Sequence, residues 1–221
     1  MPGKVQGRKN MGIYIEALLL YVVLFFSGSA GPLSYMGEGF SISAVLIRTG
    51  SYTVPSLALI WYLLLRARKM RDWDIKPGLK DLISCVLALP CLFLTGFFIA
   101  AVSYIIDGSS AQVPLNIPST TPGWVVLCSS CVLSAYLEES FFRFYLLSRR
   151  DELRLNAAAA LLVSVALFSI CHIYEGPWGF MNSAISGMVL SFIFLRYHSI
   201  HGIAIAHSLY NIFIYVNNAI I

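Results

Sequence analysis

The sequence predicts an all-α membrane protein, a bundle of about seven transmembrane helices with a cytoplasmic N-terminus, on three observations. Hydrophobic residues make up 58% of the 221 and charged residues 12%, where a soluble domain carries about a quarter charged residues. The apolar residues collect in runs close to the ~20 residues that cross a hydrocarbon core as a helix. Lys and Arg crowd into alternate connections, the asymmetry that fixes orientation in a bilayer. The net charge of +4 is modest and suggests no nucleic-acid partner; the lipid bilayer is the expected surrounding.

Taken in order, the apolar runs lie at about 11–29, 42–65, 81–106, 123–147, 156–174, 178–195 and 201–220. Lys4, Arg8 and Lys9 precede the first. Glu16 interrupts its core, which favours a retained helix over a leader cut after the small residues Ser27 to Ala30. The second run carries Arg48 near its outer end, where a long side chain snorkels or pairs. Pro55 and Pro90, in the second and third runs, suggest local kinks. Arg66, Arg68, Lys69, Arg71, Lys76 and Lys80 surround the connection between those runs. Arg149, Arg150 and Arg154 follow the fourth run, and Arg196 follows the sixth. The connections near 30–41, 107–122 and 174–178 hold Glu38, Asp107 and Glu175 but no Lys or Arg. The positive-inside rule then puts the N-terminus in the cytoplasm and the C-terminus outside.

Each run must be helical, because lipid offers the backbone no partner and the runs are too long for barrel strands. The chain reads as a single integral membrane domain over 1–221, its motif-bearing core at about 122–214. Cys85, Cys91, Cys128, Cys131 and Cys171 all lie in or at the ends of apolar runs. That is the placement of small buried hydrophobes rather than of a disulfide framework.

Polar residues inside these runs are the candidates for chemistry, since ionisable groups in a membrane normally face a protein interior or a wet cavity. Glu139 and Arg143 are four apart on the fourth run and share a helix face, so they can pair. Glu138 points about 100° away, over Cys131, Ser134 and Ala135, small residues that leave room for a ligand. Glu139 is thereby neutralised locally and Glu138 stays free, as a general base requires. On the fifth run Phe168 and His172 share a face, and Glu175 follows one turn later, either orienting His172 or solvated. On the last run His207 and Asn211 share a face and both can donate to a developing oxyanion. Each pair alone is explained as well by hydrogen bonding between helices. His198 and His201, in the turn before the last run, are expected to have no catalytic part.

In order, Glu138-Glu139-x-x-x-Arg143, Phe168-x-x-x-His172 and His207-x-x-x-Asn211 resemble the motifs of the CPBP family of intramembrane proteases. That family includes the type II CAAX prenyl endopeptidases and bacterial bacteriocin-processing and immunity-associated proteins. The resemblance covers about 122–214. It implies a glutamate-dependent endopeptidase with no covalent intermediate and no cofactor. Glu138 would be the general base, with His172 positioning or polarising the water and His207 and Asn211 stabilising the oxyanion. Glu139 and Arg143 would be a structural pair, and Phe168 would pack at the site. The implied substrate is a membrane-anchored or lipidated protein or peptide cut near a terminus. The implied setting is a bacterial or archaeal cell membrane.

Four other readings have sequence support. Glu138, His172 and His207 offer the two imidazoles and one carboxylate of a zinc hydrolase, though no His-Glu-x-x-His is present. Ser186-Gly187 followed by His207 faintly resembles the rhomboid serine site. Cys128 and Cys131 form a Cys-x-x-Cys pair. A protein that binds or sequesters a peptide without cutting it would need the same pocket. One geometric difficulty cuts across all of these. Straight perpendicular spans leave Glu138 in mid-span, His172 near the outer end of its run and His207 near the inner end of its own. Tilt, kinks or a shortened helix must bring them level, and Pro177 and Gly202 mark places for it.

Overall fold

The computed structural model describes residues 2–26, 39–66, 76–108 and 115–220, with side chains of the first helix from Met11 onward. Ser27 to Ala30, Glu38 and the basic residues Arg68, Lys69 and Arg71 lie outside these segments, as do the side chains of Lys4, Arg8 and Lys9. Among the described residues the regular elements are helices. Helix α1 (Pro2–Tyr21) runs on into a π-helical turn at Val22–Phe26. Helices α2 (Ile42–Arg48) and α3 (Val54–Arg66) form one rod through a π turn at Thr49–Thr53. Pro55 is the second residue after that turn; it has no N–H for the i−4 carbonyl and its ring crowds that position, so the wider turn accommodates it.

Helix α4 (Leu79–Asp107) continues unbroken through Pro90. Its start is fixed by the Asp81 carboxylate, which accepts from the Gly78 N–H at 2.8 Å. Its end is fixed by Gly108 at φ +67°, the left-handed stop that glycine adopts without strain. Helix α5 (Thr121–Glu139) begins at Thr120, whose hydroxyl accepts from the Gly123 N–H at 3.3 Å. It passes through a π turn at Ser140–Tyr145 into α6 (Leu146–Ser148). Helix α7 (Ala157–Ile170) is capped by Asn156, and a short 3₁₀ turn at Ile173–Glu175 leads into α8 (Gly176–Tyr197). Helix α9 (Ile200–Ile220) closes the chain.

Among the described residues, four rods are long and apolar enough to cross a membrane: Leu79–Asp107, Thr121–Ser148, Ile173–Tyr197 and Ile200–Ile220. Met11–Phe25 and Ala157–Ile170 are shorter apolar helices. The rods fall where the apolar runs predict, with one consequential difference. The fifth run extends to about 174 in hydropathy, but α7 stops at Ile170, so His172 stands beyond its end.

Helix α4 packs on α8 and α9, α5 on α9, and α7 on α8. Phe141, Phe142, Phe144, Tyr145, Leu190, Phe194 and Ile203 are fully or almost fully buried at the centre. Leu79, Leu94, Phe97, Phe98 and Ile105 of α4 point outward and are largely exposed, as lipid-facing residues are. Glycines let helices meet closely. A Cβ at Gly202 of α9 would lie 2.3 Å from the Asp81 carbonyl oxygen, and one at Gly187 of α8 would lie 2.9 Å from Phe168. The acid inside the first run is also accounted for: Glu16 pairs with Arg149 at 2.7 Å and accepts from Tyr145. Tyr21 donates to the Leu167 carbonyl at 3.1 Å, so α1 docks by polar as well as apolar contacts.

Candidate active site

The end of α5 delivers Glu138 and Glu139 where the rod changes to its π turn, and Arg143 lies within that turn. Arg143 Nη1 donates to Glu139 Oε1 at 3.1 Å, and both side chains have no exposed surface. Arg143 Nη2 donates to the Gly187 carbonyl at 3.3 Å. Its guanidinium also stacks over the Phe168 ring, 4.3 Å from the centroid. The pair expected from the four-residue spacing is therefore present. It is extended by partners from α7 and α8 that the spacing does not reveal.

Glu139 has a second task. Its Oε1 accepts from His207 Nδ1 at 2.8 Å, which fixes the ring and turns the other nitrogen toward α5. His207 Nε2 then faces Glu138 Oε2 across 3.8 Å. The adjacent glutamates thus meet opposite nitrogens of one imidazole, Glu139 with no exposed surface and Glu138 with 23%. The separation is longer than a direct hydrogen bond and leaves both groups directed at a shared position. Two carboxylates and one guanidinium leave a negative charge over. The cluster balances when His207 carries both of its protons, and buried charges need such balance.

A cavity of about 800 Å³ opens beside this cluster, and Glu138, Phe168, His172, His207 and Asn211 line it. Cys131 and Ser134 line it too, as the small-residue stripe predicts, whereas Ala135 is packed away. The cavity extends past Phe93, Gly96, Phe213 and Ile214 and reaches Arg48 of α2. Arg48 also lies 5.9 Å from the Tyr52 ring centroid.

The disagreement in depth is resolved by α7. With 14 residues it rises only about 21 Å. Phe168 packs at Gly187, and Gly187 lies about 16 Å below the start of α8 at 1.5 Å per residue. His172, four residues beyond Phe168, rises at most about 6 Å above that level. His207 stands about 10 Å from the start of α9 by the same measure. The candidate residues therefore gather near the middle of the bundle.

His172 is held by the helix end itself: its Nδ1 donates to the Phe168 carbonyl at 2.8 Å, satisfying one of the last free acceptors of α7. Glu175, considered for that task, instead accepts from the Tyr174 hydroxyl at 3.2 Å. The Phe168 ring packs against two imidazoles, with centroids 4.6 Å from His172 and 6.0 Å from His207. Asn211, one turn beyond His207, lines the cavity from α9. His201 bonds to the Tyr136 hydroxyl at 3.1 Å.

Asn182, Ser186 and Tyr210 line the same cavity and do not belong to the motifs. Their signal was available, because Asn182 and Ser186 are polar residues within an apolar run. Among the described residues, no three His, Cys, Asp or Glu side chains are grouped as a metal ion would need. Cys128 and Cys131 are free thiols, Cys131 buried.

Neither the curated proteins nor the solved structures compared with this chain gave a match. A family model described as type II CAAX prenyl endopeptidase Rce1-like matches residues 120–213. That segment begins at the cap of α5 and ends beyond Asn211, so it contains Glu138, Glu139, Arg143, Phe168, His172 and His207. The protein is an integral membrane helix bundle whose site-bearing segment matches the Rce1-like type II CAAX prenyl endopeptidases, the protease family that the ordered motifs resemble.

Proposed function

We propose that this protein is an intramembrane endopeptidase that hydrolyses a membrane-associated protein or peptide near a terminus, with water activated by Glu138. The observation that carries the reading is the opposition of Glu138 Oε2 and His207 Nε2 at 3.8 Å on the cavity wall. The imidazole is aimed there by a fully buried Glu139–Arg143 pair.

In the reaction, Glu138 takes a proton from water as the oxygen attacks the scissile carbonyl carbon. The resulting oxyanion receives hydrogen bonds from His207 Nε2–H and the Asn211 carboxamide. Collapse of the intermediate breaks the C–N bond, and the proton held by Glu138 passes to the leaving amine. His172, which lines the same cavity, polarises or orients the water from the cavity wall. Glu139 holds His207 through its Nδ1–H so that Nε2–H faces the cavity, and Arg143 holds Glu139 in place. No metal takes part. With the N-terminus in the cytoplasm, substrate enters from the bilayer at mid-depth, and the family description makes a lipidated C-terminus a reasonable first substrate to try.

The test is cleavage of a tagged, membrane-tethered peptide by protein reconstituted in lipid. Glu138→Gln should lose at least about 100-fold in rate, the scale of general-base catalysis, and exhaustive chelation should leave the wild type active. Absence of cleavage by wild type, with equal peptide binding by Glu138→Ala, would show a binding protein instead. Loss of activity on chelation, restored by zinc, would show a metalloenzyme.

A further inference from the structure

Hydrolysis as described leaves two polar groups on the cavity wall unused. Asn182 Oδ1 and Ser186 Oγ are buried and have no hydrogen-bond partner within the protein, and both residues line the cavity that holds Glu138 and His207. Ser186 is only 6% exposed. Asn182 donates its amide to the Tyr210 hydroxyl at 3.4 Å, which leaves the carbonyl oxygen as an acceptor. Buried polar atoms are rarely left unpaired without a purpose.

The spacing of the pair indicates what it fits. Four residues apart on α8, the side chains share a face and stand about 6 Å apart along the axis. Alternate residues of an extended peptide repeat at about 6.6–6.8 Å. A helical segment arriving from the bilayer has committed its N–H and C=O groups to itself. An extended segment has not, and at this depth it must find partners in protein.

We propose that Asn182 and Ser186 form a subsite for the main chain of an extended substrate segment beside the scissile bond. Asn182 Oδ1 accepts one peptide N–H, and Ser186 Oγ pairs with the main chain two residues away. Tyr210 holds the Asn182 amide so that its oxygen faces the cavity. The inference rests on the endopeptidase reading and narrows the substrate class. The preferred substrate is unwound at the cut, by a nearby Gly or Pro or by proximity to a chain end, whatever its side chains.

The experiment walks single amide-to-ester replacements through the cleavage region of a tethered peptide, each deleting one N–H. Reconstituted wild type, Asn182→Ala and Ser186→Ala are compared, with thermal unfolding to verify that the variants fold. One ester should cut wild-type kcat/KM by about tenfold, the worth of one hydrogen bond to the peptide, and should cost Asn182→Ala nothing further. Equal ester penalties in wild type and both variants would overturn the subsite. Binding of the same peptides to Glu138→Gln reads the subsite without catalysis, so it stands or falls separately from the mechanism. Complete loss of cleavage in Ser186→Ala, with covalent labelling of wild type by a fluorophosphonate, would make Ser186 a nucleophile and overturn both.

Discussion

Replacing Arg143 by Leu removes the charge that balances Glu139 at a place with no exposed surface, and the structure sets the size of the effect. Deleting one partner of a buried ion pair costs about 3–5 kcal/mol, because the other charge is left uncompensated. Glu139 still has His207 at 2.8 Å, which places the loss near the lower end, at about 3 kcal/mol. The guanidinium also leaves the face of Phe168, where it stood 4.3 Å from the centroid, at a further cost of about 1–2 kcal/mol. The expected total for Arg143→Leu is about 4–5 kcal/mol. The assay is denaturation in mixed micelles followed by tryptophan fluorescence. A second variant separates charge from packing. In Glu139→Gln/Arg143→Leu the glutamine oxygen still accepts from His207 and no charge is stranded, so about 2 kcal/mol or more should return. Arg143→Leu within 1 kcal/mol of wild type, or a double variant no more stable than the single, would refute the reasoning.

Two further substitutions test the helix contacts that position the site. Gly202→Ala drives a methyl group to 2.3 Å from the Asp81 carbonyl oxygen, a backbone atom that cannot rotate away. It should destabilise the protein by about 1–3 kcal/mol in the same denaturation assay. Gly96→Ala meets the far end of the Tyr210 side chain, its hydroxyl at 2.5 Å and two ring carbons at 3.3 and 3.4 Å, and that side chain can tilt. Stability should change by less than about 1.5 kcal/mol, while kcat/KM falls severalfold because Tyr210 releases Asn182.

Most of the architecture was legible because a bilayer leaves the backbone few options. Hydropathy placed the rods, and the spacing of Glu139 and Arg143 placed their ion pair. The exceptions share a physical origin. The end of α7 at Ile170 was invisible because Cys171, Ile173 and Tyr174 are apolar enough to continue a run, and hydropathy does not distinguish a helix from a turn that packs inside a bundle. The π turns at Thr49–Thr53 and Ser140–Tyr145 were equally hidden, since a widened turn keeps the composition of a regular one. Within the site, the spacing set Glu139, which shares a face with Arg143, apart from Glu138. It could not show that both address the same imidazole, because the bond from His207 joins residues 68 apart in sequence. Asn182 and Ser186 carried their signal as polar residues in lipid, but a partnerless atom is recognised only once its neighbours are known.

The truncation of α7 has a consequence for the lipid itself. A helix rising about 21 Å cannot match a hydrocarbon layer about 30 Å thick. Beside it the acyl chains must compress, or headgroups and their hydration must follow the polypeptide inward toward His172. Either response brings the aqueous phase closer to mid-membrane along this face than along the 29-residue α4. The hydrolysis proposed above consumes one water molecule per turnover, and a helix that falls short of the far leaflet would shorten the path by which that reactant arrives.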